Sequence, residues 1–239
     1  MRSFVLAKTL NQRAMLRRGL RDHGDAMAPP AKAALEEAER RLTDIARRAQ
    51  IDQATDALRG LEGEAAATYF GVLDHLIRVD EPSLRFCGRS RRPPLDPVNA
   101  LLSLLYTLLT HDCRSALETM GLDPAVGFLH RDRPGRPSLA LDLLEEFRPV
   151  VADRLALSLV NRRQIGAGAF RRMENGAVLL ADDARREIIV AFQERKKEEL
   201  LHPYLEEKAP LGLMPQLQAQ LLARHLRGDL DAYPPFVWR

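Results

Sequence analysis

The segment from Asp96 to Gly121 constrains this chain more than any other. Within it, Ala100-Leu101-Leu102-Ser103-Leu104-Leu105-Tyr106-Thr107-Leu108-Leu109 is apolar nearly all round. A helix of that kind belongs at the centre of a domain, because no face of it suits water. Pro97 stands just inside its start, where a missing N–H costs nothing, and Gly121 suits its C-terminal cap. Aromatic residues are only 5% of the chain. The core therefore rests on Leu, Ala and Val, which favours helices over a β-sandwich.

The flanking segments read as further helices. Lys8 to Asp22 is a basic one, with Arg13, Arg17, Arg18 and Arg21 around it, and Lys32 to Ala49 is a second. Gly24, Pro29 and Pro30 separate them, so an antiparallel helical hairpin is expected. A short helix from about Asp52 to Leu58 leads to Gly60, and Glu62 to Val79 reads as the next. Asp80 to Pro94 and Leu122 to Pro137 are loops. Ser138 suits an N-cap for a helical stretch to about Asn161, which Pro149 should kink or divide. Asn175-Gly176 signals a hairpin between Phe170 and Leu180. Asp182 caps a helix to about Leu201, and a last one spans Pro215 to Leu226. The tail from Gly228 to Arg239 is ordered only if Tyr233, Phe236 and Trp238 dock. The fold class expected is mainly α, with one small β-hairpin.

The net charge is +3, and 31 of the 36 basic residues are arginine. Guanidinium forks fit phosphate bidentately, although codon usage alone could give the same bias. Cys87 and Cys113 sit in no metal-binding spacing, which argues against a zinc site or disulfide framework. No apolar run is long enough for a bilayer, and the N-terminus lacks a signal-peptide layout. A cytoplasmic protein with no membrane partner is expected.

Asp142 and Glu145, three residues apart, share one helical face, and Glu146 lies about 40° from Asp142 on its other side. Two such carboxylates can hold a divalent cation. Spacing does not choose between Glu145 and Glu146. His130, 12 residues before Asp142, offers a neutral ring nitrogen as a ligand. Glu62 and Glu64 are further candidates at a helix start. Each acid also has an ordinary explanation, because acids near a helix start complement its dipole. One imidazole with carboxylates suits Mn²⁺ or Mg²⁺, and such a site could activate a hydroxyl against a phosphodiester. No Walker A loop, GxGxxG, GxSxG or HExxH is present.

Four stretches together resemble the CRISPR-associated protein 1 family, the integrase of CRISPR adaptation. They are Leu61-Glu62-Gly63-Glu64-Ala65-Ala66-Ala67-Thr68-Tyr69-Phe70, the run from Asp96 to Tyr106, Gly127-Phe128-Leu129-His130, and the run from Ser138 to Pro149. The segment from Gly228 to Phe236 resembles the type I-C branch. The resemblance implies a helical catalytic domain over 11–239 that binds Mn²⁺ or Mg²⁺, with 1–10 as a linker remnant. It maps the metal ligands to Glu62, His130 and Glu145, choosing Glu62 over Glu64 and Glu145 over Glu146. Asp142 matches an accompanying acid that binds metal or supports the site. It also implies DNA as substrate, a homodimer, and assembly with CRISPR-associated protein 2. The family normally carries a mostly β N-terminal domain, which this chain, starting near the linker around Phe4 to Asn11, is expected to lack. The competing expectation is a non-catalytic helical subunit for DNA binding or assembly.

Overall fold

The computed structural model describes residues 1–51, 54–131 and 133–238. Helices α1 (Arg2–His23) and α2 (Pro29–Gln50) form the antiparallel pair. Arg2 Nη1 donates to Gln50 O at 3.2 Å, and Arg13 Nη1 donates to Thr43 Oγ1 at 3.3 Å. The first helix starts at Arg2 rather than near Lys8. Residues 2–10 form its opening turns. Phe4, Val5, Ala7 and Lys8 are all buried there, extending the apolar stripe of Met15 and Leu16 back to the start.

Helix α3 (Thr55–Val72) corrects a second expectation. Two helices divided near Gly60 were expected; one continuous helix runs through Gly60 and Gly63. Leu58, Leu61, Ala65 and Tyr69 are buried along one stripe. Burial of that stripe outweighs a helix penalty of about 1 kcal/mol per glycine. The 3₁₀ turn Leu73–Leu76 follows, so α3 ends short of Val79. The expected start at Asp52 lies outside the described residues.

Helix α4 (Pro97–Thr119) is the central one. The Asp96 carboxylate caps it, accepting from Asn99 N at 2.8 Å, and Leu101, Leu105, Leu109, Cys113 and Leu117 are buried along it. Gly121 takes φ +73° at its end, as a left-handed cap requires. Helices α5 (Ser138–Phe147) and α6 (Arg154–Asn161) pack beside it, joined by a π-helical turn over Arg148–Asp153. Pro149, which has no N–H for the α ladder, falls in that turn. Pro137 rather than Ser138 occupies the N-cap position of α5.

Strands β1 (Phe170–Arg172) and β2 (Val178–Leu180) form the expected hairpin, with Phe170 opposite Leu180 and Gly176 at φ +81° in its turn. Helix α7 (Asp182–Lys196) has Ala181, not Asp182, at its cap, and stops before Leu201. Glu199–Leu201 is instead strand β3, antiparallel to β4 (Lys208–Pro210). The second hairpin escaped the sequence because its turn residue at φ +58° is Glu206, not glycine or asparagine. Helix α8 (Met214–Leu226) packs on α4 and α5. The tail docks through buried Tyr233 and Phe236. Among the described residues, no helix is long and apolar enough to cross a membrane.

Candidate functional site

Helix α5 buries three acids in five residues, Asp142, Glu145 and Glu146. Buried carboxylates need partners, and each of these has a different set. Asp142 holds the loop that precedes the helix. Its Oδ2 accepts from Phe128 N at 2.6 Å and Leu129 N at 2.9 Å, and its Oδ1 accepts from His130 N at 2.9 Å. The His130 ring Nδ1 lies 2.6 Å from the same Oδ1. Gly127 permits this close approach. A Cβ there would sit 2.7 Å from Ser138 Cβ and 2.8 Å from its carbonyl carbon. Arg59 Nε clamps the loop from α3, donating to Leu129 O at 2.7 Å.

The carboxylate beside Nδ1 assigns the proton to that nitrogen. The Nε2 lone pair is then directed away from Asp142, and Nε2 lies 3.8 Å from Glu145 Oε1. Glu145 is buried and reached by two cations. Arg148 Nη1 lies 3.2 Å from Oε1, and Lys8 Nζ lies 2.8 Å from Oε2. Burial alone would raise this carboxyl, but Arg148 and Lys8 outweigh it and hold it well below the usual carboxylate range. Lys8 also ion-pairs with Glu62 Oε1. Glu62 stands eight residues into α3, too far from the helix start for the dipole explanation. Glu64 faces α2 and pairs with Arg48 at 3.0 Å.

Glu146, adjacent in sequence, faces away into the tail. It accepts from Tyr233 Oη at 2.7 Å, Gln218 Nε2 at 2.8 Å and Phe236 N at 2.8 Å. Burial pushes its carboxyl up to about 8 in spite of these bonds. A second buried network backs the site. Tyr106 Oη donates to Asp153 Oδ1 at 2.6 Å, and the Arg148 guanidinium lies 4.8 Å over the Tyr106 ring. Burial raises Asp153 to about 6.

The structure thus brings His130, Asp142 and Glu145 together, with Glu62 joined to them through Lys8. Among the described residues, no three His, Cys, Asp or Glu side chains already converge as a ready metal cluster. Lys8 is the residue that sequence reasoning missed. Its one signal was position: it falls on the buried stripe of α1 with Phe4, Val5 and Asn11. Among the loop arginines, Arg85 pairs with Asp74 and Arg131 with Asp56. Arg89 is drawn inward, donating to Asn99 Oδ1 at 2.6 Å. The pairs Arg162-Arg163 and Arg171-Arg172 lie exposed.

The site is thus a histidine oriented by one buried acid and facing another, set in a mainly helical domain. Residues 1–194 match the family described as CRISPR associated protein Cas1, and the chain belongs to that family. It is 65% identical over 240 residues to the CRISPR-associated endonuclease Cas1 2 of Rhodospirillum rubrum, covering 100% of this chain and 70% of that one. Its fold is similar to that of a casposase bound to integration product, with a TM-score of 0.81 at 24% identity over 97% of this chain and 61% of that one. It is also similar to a chain of a partial Cas6-RT-Cas1–Cas2 complex, with a TM-score of 0.81 at 25% identity over 99% of this chain and 67% of that one. The chain therefore spans about 61 to 70% of these relatives' length.

Proposed function

We propose that this chain carries the divalent-cation site of a DNA integrase and endonuclease of CRISPR adaptation, in which a DNA 3′-hydroxyl attacks a repeat phosphodiester. The observation that carries this reading is the His130 geometry: Nδ1 is committed to Asp142, and Nε2 is left toward Glu145. That is how a carboxylate prepares an imidazole to bind a metal. Glu62, His130 and Glu145 would hold Mn²⁺ or Mg²⁺, and Asp142 would support His130.

The donor set fits such an ion. Two carboxylates and one imidazole suit a hard or borderline divalent cation. Glu145 Oε2 is buried, and its cationic partner is the Lys8 ammonium 2.8 Å away. When bound, the cation would supply Lewis-acid stabilisation of phosphodiester oxygens. The chain's own residues do the rest. Asp142 fixes the imidazole, Arg148 keeps Glu145 ionised, and exposed arginines such as Arg162 and Arg171 are available for backbone phosphates.

The same reading takes DNA and CRISPR-associated protein 2 as partners, supported by the name of the related endonuclease and the composition of the related complex. A homodimer, a type I-C-like branch and a cytoplasmic setting complete it.

The test is strand transfer and cleavage of branched DNA in Mn²⁺, with EDTA as control. Glu62→Ala, His130→Ala and Glu145→Ala should each lower the rate at least about 100-fold while salt-sensitive DNA binding persists. Equal activity in these variants rejects the site. DNA binding without metal-dependent activity in the parent would favour the non-catalytic reading.

A further inference from the structure

We propose that Lys8 is a positioning residue of the cation site, its ammonium holding Glu62 and Glu145 together and competing with the divalent ion for those two carboxylates. The inference rests on the function proposed above but goes beyond its ligand set. Three helices meet at this point. Lys8 comes from α1, Glu62 from α3 and Glu145 from α5.

The Lys8 side chain is 3% exposed and Glu145 1%, while Glu62 is 25% exposed. A lysine so buried is a rarity that only its partners explain. Removing the ammonium would leave two carboxylates facing one another in a site with little water, and their repulsion would push the helices apart. The ammonium therefore does the structural work of a cation.

It also lies between Glu62 and Glu145, the two carboxylates that would help to hold a divalent ion. Lys8 Nζ lies 2.8 Å from Glu145 Oε2, an ion-pair contact that a cation of higher charge would contest. Lysine suits such an exchange better than arginine. Its charge is compact, on a flexible four-carbon stem that can swing off without moving the helix. His130 and Arg148 are not displaced in this exchange, because their contacts lie on Oε1 of Glu145. Binding of the ion would then free the ammonium at the edge of the site, and the acids would stay in register throughout.

The test is calorimetric titration of Mn²⁺ into the full chain and into Lys8→Met and Lys8→Arg, with melting followed in EDTA. Lys8→Met should melt lower in EDTA, yet bind Mn²⁺ about tenfold tighter or more, because a competing charge is gone. Lys8→Arg should keep weak, parent-like binding. A residue that merely held the fold would not tighten metal binding when removed. Unchanged or weaker Mn²⁺ affinity in Lys8→Met overturns the inference and leaves the metal site standing. Absence of Mn²⁺ binding in the parent overturns both.

Should Lys8→Met fail to fold, amine labelling of the parent decides the matter. Lys8 should be protected in EDTA and labelled in Mn²⁺, with exposed Lys197 and Lys208 as constant references. Equal protection of Lys8 in both conditions overturns the proposal.

Discussion

Asp142 takes hold of His130 at two points, the backbone N at 2.9 Å and the ring Nδ1 at 2.6 Å, both through Oδ1. One oxygen thus fixes where the loop lies and which way the imidazole faces. Its partner oxygen binds Phe128 N and Leu129 N, so neither oxygen is spare for a direct metal bond. Asp142→Asn keeps the size but replaces one acceptor oxygen with a donor nitrogen. Mn²⁺ affinity measured by calorimetry should fall about 10–100-fold, as for other carboxylates that orient a histidine ligand. Parent-like affinity would show that His130 needs no such support.

The neighbouring glutamates should separate cleanly. Glu145→Gln removes the negative charge facing His130, Arg148 and Lys8, and should lower Mn²⁺ affinity at least about tenfold. Glu146→Gln should leave it within about twofold, because its contacts are to the tail. The opposite ranking would reverse the choice between them.

Glu146 also gives the chain a pH dependence. Its carboxyl is at about 8 in the folded protein, against 4.5 for an ordinary glutamate. Between those values the native state holds a proton that the unfolded chain has released. The stability from that proton is fully present below pH 4.5 and is lost as pH rises through about 8. Asp153, raised to about 6, adds a loss of the same sign at lower pH. Stability, read as Tm, should therefore fall between about pH 5 and 8, with a slope of up to about 1.4 kcal/mol per pH unit from Glu146. Glu146→Gln should flatten that slope, because its amide does not titrate while its carbonyl oxygen can still accept from Tyr233 Oη. Parallel melting profiles for the two proteins would contradict the assignment.

Tyr106→Phe tests the network behind Arg148. Phenylalanine keeps the ring under Arg148 and Arg89, which lie 4.8 and 5.3 Å from its centroid. It removes the O–H that donates to buried Asp153. The loss should be about 1–3 kcal/mol at pH 8, read from urea unfolding. It should be smaller at about pH 5, where Asp153 is protonated and loses less by having no donor. An equal loss at both values would mean that the Asp153 charge is not what the hydroxyl serves.

Local signals carried much of the architecture. The all-apolar run in α4, its Asp96-Pro97 start and Gly121 end, and the Asn-Gly turn of β1–β2 each act within a few residues, so each was legible. Where a rule of short range was overridden, distant packing did it. Gly60 lies in a continuous helix because the stripe from Leu58 to Tyr69 is buried. The strand Glu199–Leu201 exists through its pairing with Lys208–Pro210, although its residues alone suit a helix.

The candidate site divides the same way. Sequence alone determined that acids at 142, 145 and 146 would lie on one short helix, because 3.6 residues per turn fixes their relative angles. It could not determine which acid would face His130. Adjacent residues point about 100° apart, and the choice was made by groups far along the chain. Lys8 and Arg148 stand on one side of Glu145, and Gln218, Tyr233 and Phe236 on the side of Glu146. The ammonium between Glu62 and Glu145 was likewise invisible in sequence. Charge compensation in a buried site depends on which helices meet there, and only the tertiary structure brings α1, α3 and α5 together.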